Sequence, residues 1–497
     1  MSQQEGLPFG RENEVGLPAG WLWTTVGAVA ETIRGVTYQK SESASEPAPG
    51  LVGVLRATNI SGVLDFEDLV WVPAACVSDD QRLRAGDILV ATSSGSLAVV
   101  GKAARCNVDT DHAFGAFCMV VRPRGAISRY LSWYFQTPGY RRTVSEAARG
   151  VNINNLKKGD LLHLEVPVPP EREQVRICDT IEAHVSRLDA AVATLERVRA
   201  NLQRARASVL KAAVEGRLVP TEAALARAEG RDYETGEALL QRILEARRAR
   251  WEEAQAGGGR RRKYEEPVGP ETEGLGELPE GWVWATVEQL SVLVTDGDHN
   301  PPKRVPEGVP HLTAKNVKGG RLTLAGCSYV SEEGFAQTSS RYLPTPGDVI
   351  VTCVGTVGQV AVVPAGLRFS ADRNLAAIRP VVADSTPFLA TALSSPSMQR
   401  TMSSSSGATA QPHLYLRDLR RLTVPVPPLV EQARIQLEAD VQTTVLDALA
   451  ESTTASVRRC ARLRQSILKR AFEGRLVPQD PTDEPAEKLL ARLGGGA

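Results

Sequence analysis

The sequence predicts an α+β protein in which one unit occurs twice: a strand-rich domain followed by a long helix, giving a pseudo-twofold tandem repeat. Three observations predict this. RARASVLKAAVEGRLVP, ending at Pro220, returns as RLRQSILKRAFEGRLVP, ending at Pro478, and VPVPPEREQVRI (166–177) returns as VPVPPLVEQARI (424–435) at the same offset of 258. LPAGWLWTTV (17–26) returns as LPEGWVWATV (278–287), and AGDILV (85–90) as PGDVIV (346–351), three residues out of step with the first pair. Within each copy the texture also changes midway, from Val, Thr, Gly and Pro to a stretch free of Gly and Pro.

The elements follow in order. Residues 17–170 and 278–428 carry short apolar runs between turn signals, such as Asp87-Ile88-Leu89-Val90, which read as short strands. Each ends in VPVPP, whose prolines deny both helix and central-strand pairing. From Glu171 to about Glu215 the apolar residues Ile181, Val185, Leu188, Val192, Leu195, Leu202 and Val209 recur near the 3.5-residue spacing of a coiled-coil seam, with Arg199 and Arg206 interrupting it. Gly216 is placed to cap this helix and Pro220 to stop it. About 45 helical residues would span roughly 65 Å. A second long helix is expected from about Leu429 to Glu473, with a weaker seam at Ile435, Val441, Val445, Leu449, Val457 and Ile467. Two such helices with matching ends suggest an antiparallel pair, a coiled-coil spacer with one strand-rich head at each end. A shorter helix is expected over Glu234–Glu253, before a flexible GGGRRRK (257–263). Its EALLQR (237–242) is echoed by EKLLAR (487–492), so the C-terminal tail begins the connector that follows the first copy. The expected organisation is therefore domain 1 at 1–170, a central helical region at 171–256, a linker at 257–277, domain 2 at 278–428, and a distal helical region with tail at 429–497.

Composition excludes several classes. No apolar run reaches the about 18 residues that would span a membrane, and the N-terminus lacks the basic and apolar regions of a signal peptide, so a cytoplasmic location is expected. Seven cysteines without a CxxC pair fit reduced thiols, and six dispersed histidines offer no metal face. Lys and Arg total 58 against 58 Asp and Glu, so bulk charge gives no support to nucleic-acid binding. Three catalytic or metal motifs are approached and missed. Asn300-Pro301-Pro302 is followed by Lys303 rather than an aromatic that could stack on a flipped base. GSLAVVGK (95–102) is one residue too long for a phosphate loop and continues with Ala103. Asp296-Gly-Asp298-His-Asn300 opens like a calcium loop, but Pro301 and Pro302 stand where glycine and a backbone ligand are needed. The reading is of a binder without an active site.

The ordered set L-P-x-G-W-x-W, G-D-[IV]-[ILV]-V, V-P-x-P-P-x-x-E-Q-x-x-I and E-G-x-L-V-P, present twice, resembles the specificity subunit of type I restriction-modification systems. The residues that carry it are Leu17-Pro18-Gly20-Trp21-Trp23 and Leu278-Pro279-Gly281-Trp282-Trp284, Gly86-Asp87 and Gly347-Asp348, Glu173-Gln174 and Glu431-Gln432, and the segments 215–220 and 473–478. The resemblance covers nearly the whole chain. It implies that each strand-rich head is a target recognition domain reading one half of a bipartite site in double-stranded DNA. It also implies that the helices dock two methyltransferase (modification) subunits, with a restriction/translocase subunit as a further partner. S-adenosylmethionine and ATP would then belong to those partners, and this chain would hold no cofactor or metal.

Candidate DNA-reading residues lie in polar loops beside the shared strands. In the first head these are Thr37, Tyr38 and Lys40; Arg56 and Asn59; Ser93, Ser94, Ser96 and Lys102; and Asn152, Asn154 and Asn155. In the second they are His299, Asn300 and Lys303; Lys315 and Asn316; Thr356 and Gln359; and Gln411 and His413. Lys and Arg suit phosphates or guanine edges, and Asn and Gln suit adenine. Asn59 and Asn316 are equally suited to capping turns. Trp21/Trp23 and Trp282/Trp284 alternate at strand spacing and are read as packing each head on its helix rather than stacking on bases. The competing function is a scaffold that binds proteins or peptides through paired domains and has no sequence preference on DNA.

Overall fold

The computed structural model describes residues 16–148, 154–256, 263–300, 302–406 and 412–494. The chain forms two compact units, residues 1–196 with 454–497, and residues 197–453. It passes from one unit to the other inside each long helix, Glu171–Val214 and Leu429–Phe472. Each unit thus holds one head, the first half of the helix leaving that head, and the last half of the other helix.

In the first unit the strands are β1 (Leu22–Thr25), β2 (Ala30–Arg34), β3 (Leu51–Leu55), β4 (Val70–Pro73), β5 (Ile88–Ala91), β6 (Ser93–Ser94), β7 (Ala103–Arg105), β8 (Ala113–Phe114), β9 (Cys118–Pro123), β10 (Asn154–Asn155) and β11 (Glu165–Val168). An antiparallel sheet of order β2-β9-β5-β7 forms the centre; β4-β3-β8 forms a second sheet, with β3 and β8 parallel. One face of β5 and β9 (Ile88, Val90, Val121) packs on helices 128–134 and 138–147 and on the long helices; the other (Leu89, Val120) faces the second sheet. This alternation is why the apolar runs are continuous rather than every second residue. The first three residues of VPVPP, Val166–Val168, lie in strand β11, paired with β1 at an edge where proline costs no ladder bond, and Pro169 and Pro170 lead into the long helix.

The second unit repeats the plan. Its central sheet orders Ser291–Asp296, Leu375–Pro380, Val349–Thr352 and Val360–Val362. A second sheet is built from Arg304–Val305, Ser328–Val330, Val309–Leu312 and Ser370–Ala371.

Within each unit the two helix halves run antiparallel. In the first, Ile177, Ile181 and Val185 share a core with Leu468 and Ala471, and Arg464 bonds Asp189 at 3.1 Å. In the second, Ala213 and Val214 share a core with Ile435, and Arg206 bonds Asp447 at 2.5 Å. The seam of the first long helix is buried at Ile181 and Val185 and half-buried from Leu188 to Val209. The second helix keeps its expected seam at its ends, with Ile435 buried and Val457 and Ile467 half-buried, and departs from it in the middle: Val441, Val445 and Leu449 are exposed and, with Leu437, form a stripe at four-residue spacing, while Ala439 and Thr453 are buried instead. Periodicity locates an apolar face without saying what covers it.

The repeated motifs are joints. Trp21 Nε1 donates to Glu173 Oε2 at 3.0 Å, and Gln479 Nε2 donates to Glu173 Oε1 at 2.7 Å. Trp282 Nε1 donates to Glu431 Oε1 at 3.0 Å, and the Glu222 amide to Glu431 Oε2 at 2.8 Å. Burial pushes both carboxyls above the usual carboxylate range. Gln174 and Gln432 cap the junction by donating to the carbonyls of Pro169 and Pro427. In the first motif Trp21 lies in the turn before β1 and is buried while Trp23 is partly exposed; in the second Trp282 is buried and Trp284 half-buried. The helix ends then dock on the other copy's motif. Gly474 (φ +66°) lies against Pro18 and Trp21, and Gly216 (φ +64°) against Pro279 and Trp282. A Cβ at Gly474 would stand 2.2 Å from Pro18 Cγ, so both the left-handed backbone and the close approach require glycine there.

The echoed connectors dock alike. The Gly236 amide donates to Gly281 O at the start of helix Gly236–Ala256, and the Ala486 amide to Gly20 O at the start of helix Ala486–Gly494. Of the expected flexible linker, residues 257–262 lie outside the described residues. From 263 onward it is held on the second head, where Arg247 Nη1 donates to the Tyr264 hydroxyl at 2.7 Å and Thr286 Oγ1 to Val268 O at 2.8 Å.

Candidate nucleic-acid interface

The Gly-Asp motif builds the frame. Gly86 and Gly347 take positive φ, turning the chain into the central strand. The aspartate that follows is 1% exposed in both heads. Asp87 accepts from the Arg84 amide and, in a fork, from Arg122 Nε and Nη2, both at 2.8 Å. Asp348 accepts from the Thr345 amide, the Tyr342 hydroxyl and the Arg379 fork at 2.7 Å. Each pair clamps the strand after the motif to its neighbour, and the hydrogen bonds raise both arginines above their ordinary values. Burial, with the facing Asp348 carboxylate, pushes the Tyr342 phenol far up.

On this frame four backbone segments converge in the first head. The loop after β2 crosses the β8–β9 turn, with the Val36 amide donating to Phe114 O (2.7 Å) and the Ala116 amide to Val36 O (2.9 Å). A Cβ on Gly35 would stand 2.1 Å from Gly115 O, so this crossing is possible only with glycine. The segment after β5 joins the same turn, as the Thr92 and Ser93 amides both donate to Phe117 O. Strand β10 then pairs with β6, and the Ser93 hydroxyl donates to Asn155 Oδ1 at 2.5 Å. The structure therefore brings together Thr37, Tyr38, Ser93, Ser94, Asn154 and Asn155. Ser96 and Lys102 follow on the next turn, and Lys40 lies exposed just beyond the loop.

The second head repeats the convergence. The Asp298 amide donates to Ala371 O, the Cys353 amide to Asn374 O, and Val354 bridges His413. Gly297, the counterpart of Gly35, would place a Cβ 2.2 Å from Ala371 O. Here the segments carrying His299 and Asn300, Thr356, and His413 meet at the 371–374 turn, and Lys303 lies exposed on the first of them. His299 Nε2 sits 2.8 Å from Asp296 Oδ2 and 3.2 Å from Arg341 Nη2, which tethers it to the sheet. His413 stacks on Tyr415, ring centroids 4.4 Å apart, and Tyr415 is 57% exposed. Asn152 and Gln411 lie outside the described residues.

Five candidates lie on other segments. Asn59 and Asn316 are buried turn caps. Asn59 Oδ1 accepts from the Arg56 amide and its Nδ2 donates to Glu67 O. Asn316, with 0% exposure, bonds the Thr313 amide and the carbonyls of Thr323 and Ala325. With every amide atom committed and no surface, neither can read a base. Replacing Asn316 with Ala should cost about 1–3 kcal/mol through orphaned backbone groups. A lower melting temperature with unchanged base preference is the expected result, and changed preference would restore a reading role. Arg56 is exposed, but its guanidinium is held by Asp68 O at 2.8 Å. Gln359 lines a separate cleft of about 610 Å³ with Gln203, Arg206, Gln399 and Thr443. Lys315 is exposed on the turn that Asn316 caps.

Sequence reading missed Ala116 and Phe117 and their counterparts Arg373 and Asn374. The signal was present: A-F-G-A-F (113–117) and S-A-D-R-N (370–374) each run into a strand ending Arg-Pro, at 122–123 and 379–380, so the repeats differ most where their flanks agree. It also missed a buried polar group below the second turn. His311 Nδ1 lies 3.0 Å from Ser370 Oγ, and its Nε2 lies 3.5 Å from Asp372 Oδ2. Ser370 and His311 have no surface for a substrate to approach, so the group is structural. Burial raises the Asp372 carboxyl, but hydrogen bonds from His311 and the Asn374 amide outweigh it and hold the group below its ordinary value.

The family described as the type I restriction modification DNA specificity domain matches residues 77–198 and 299–455, that is, the later part of the first head, most of the second, and the first half of each long helix. The chain is 26% identical over 480 residues to the type I restriction enzyme EcoKI specificity subunit of Escherichia coli (strain K12), covering 94% of this chain and 92% of that one. It is 34% identical over 204 residues to the StySPI specificity subunit of Salmonella potsdam, covering 41% of this chain and 44% of that one. A solved structure from work on complex assembly and conformational transition of the type I R-M system has a TM-score of 0.55 at 21% identity, covering 93% of this chain and all of that one.

Proposed function

The chain belongs to the family of type I restriction modification DNA specificity domains, and from that premise we propose that each head reads one half of a bipartite DNA site for partner subunits that carry the chemistry. The observation that carries this reading is that the two heads bring the corresponding segments together on matching backbone bonds (Val36 to Phe114 and Asp298 to Ala371, Thr92 to Phe117 and Cys353 to Asn374) while presenting different side chains. One frame with two sets of reading groups is what two unlike half-sites require. Phosphates would be held by Lys40 and Lys102 in the first head and by Lys303 in the second, leaving the serines, asparagines and His413 for base edges.

The exposed stripe Leu437, Val441, Val445 and Leu449 supports helix-borne docking of a modification subunit. Residues 435–457 contain Glu438, Asp440, Asp447 and Glu451 and no Lys or Arg, so the partner face should be apolar with a basic rim. Changing Leu437 and Val441 together to Glu should weaken capture of the modification subunit at least tenfold while leaving the melting temperature unchanged. Equal capture would remove the stripe from the interface. In this reading S-adenosylmethionine and ATP are bound by the partners, and a restriction/translocase subunit joins the same complex.

The test is to assemble the chain with its modification subunits, methylate a random-sequence DNA library and read the modified sites. The expected result is a two-part motif with an unread gap. A single block, or methylation without sequence preference, would contradict the reading.

A further inference from the structure

We propose that the three-residue turns Gly115-Ala116-Phe117 and Asp372-Arg373-Asn374 are specificity-determining stations, reading their half-sites by apolar contact in the first head and by hydrogen bonding in the second. The proposal deepens the reading above and rests on it.

Each turn carries the chain from one sheet of its head to the other. In the first head it leaves β8, which is paired parallel to β3, and enters β9, which is paired antiparallel to β2 and β5. The turn's backbone is tied at several points. The Gly115 amide donates to Leu55 O (2.9 Å), the Ala116 amide to Val36 O (2.9 Å) and the Cys118 amide to Gly115 O (2.8 Å). Phe117 O accepts from the Thr92 amide, the Ser93 amide and the Thr92 hydroxyl. The second head repeats this frame bond for bond at three points. The Asp372 amide donates to Leu312 O (3.0 Å), the Leu375 amide to Asp372 O (2.9 Å) and the Cys353 amide to Asn374 O (2.8 Å).

With the main chain fixed by its neighbours, the side chains are free to differ without cost to the fold, and they do differ. Phe117 is 67% exposed, a large apolar ring on a backbone carbonyl that accepts from the Thr92 and Ser93 amides, next to the loop that carries Tyr38. At the same stations the second head has Arg373, exposed, and Asn374, half-buried. Among the described residues neither the Arg373 guanidinium nor the Asn374 side-chain amide has a hydrogen-bond or ion-pair partner. A ring suits the 5-methyl edge of thymine, a guanidinium fork the O6/N7 edge of guanine, and a carboxamide the N6/N7 edge of adenine. These are opposite recognition chemistries at one address, beside the glycine crossing (Gly35 and Gly297) that brings the first reading loop onto the turn.

The test uses the full chain assembled with its modification subunits and a random DNA library. The double exchange A116R/F117N should change base preference about tenfold or more at one or two adjacent positions of one half-site and leave the other half-site unchanged. The pair R373A/N374A should relax preference by a similar factor in the other half-site. Phe117→Ala and Arg373→Lys serve as milder versions; the lysine keeps the charge and loses the bidentate fork. All four positions lie at least partly on the surface, so melting temperatures should match the parent. Unchanged preference at every position would overturn the proposal, and so would a uniform loss of methylation across all sequences. If exchange of the whole head moves a half-site but these turn variants do not, only this inference fails. If neither moves one, the broader reading fails with it.

Discussion

Replacing Asp87 with alanine should destabilise the first head by about 3–5 kcal/mol, because it leaves the Arg122 guanidinium partly buried without its counter-charge. Arg122 Nη2 would keep only the longer bonds to the carbonyls of Asp80 and Arg82, at 3.3 and 3.2 Å. The Arg84 amide would lose its acceptor and the turn at Gly86 its tie. Hydrogen exchange should show the loss first in β5 and β9, the two strands the pair joins. The same substitution at Asp348 should act on its own head in the same way, with the added loss of the Tyr342 phenol bond. A cost below about 1 kcal/mol would mean that the Gly-Asp motif is kept for something other than this clamp.

Trp21→Ala should cost a similar amount, about 3–5 kcal/mol, from the cavity left by a buried indole. It would also strip one of the two side-chain donors from the buried Glu173 carboxylate and remove the ring against which Gly474 packs. Trp23→Ala is the comparison: that residue is 38% exposed and should cost less, about 1–2 kcal/mol. Equal effects from the two would contradict the division of labour between them. Urea unfolding of the purified chain, with exchange protection read in residues 16–34 and 468–493, distinguishes these outcomes.

What was legible in the sequence was whatever repeats or punctuates. The doubled motifs, the two helices ended by Gly-x-Leu-Val-Pro, and the strand-rich texture between them could all be read from residue type and spacing. The docking of each helix end on the other copy's Leu-Pro-x-Gly-Trp could not, because nothing local links Gly474 to Pro18. The middle of the second helix's seam misled for a related reason: Val441, Val445 and Leu449 are periodic and apolar, yet the face they form is exposed among the described residues. Asn59 and Asn316 resembled readers because they are polar and sit in loops. Their hydrogen-bond partners lie as far as nine residues on and become visible only once the turn is closed. The placement of Phe117 and Arg373 was not legible because it comes from strand order, which sets a short turn beside a loop about eighty residues earlier in the chain.

The central claim is that the heads are independent readers, and exchange of one head tests it most directly. Residues 17–170 are replaced by the corresponding domain of a relative with a different known site, the hybrid is assembled with its modification subunits, and methylated sites are mapped. The account predicts that one half of the bipartite site changes to that of the donor and the other half stays as it was. A hybrid that changed both halves, or neither, would contradict it.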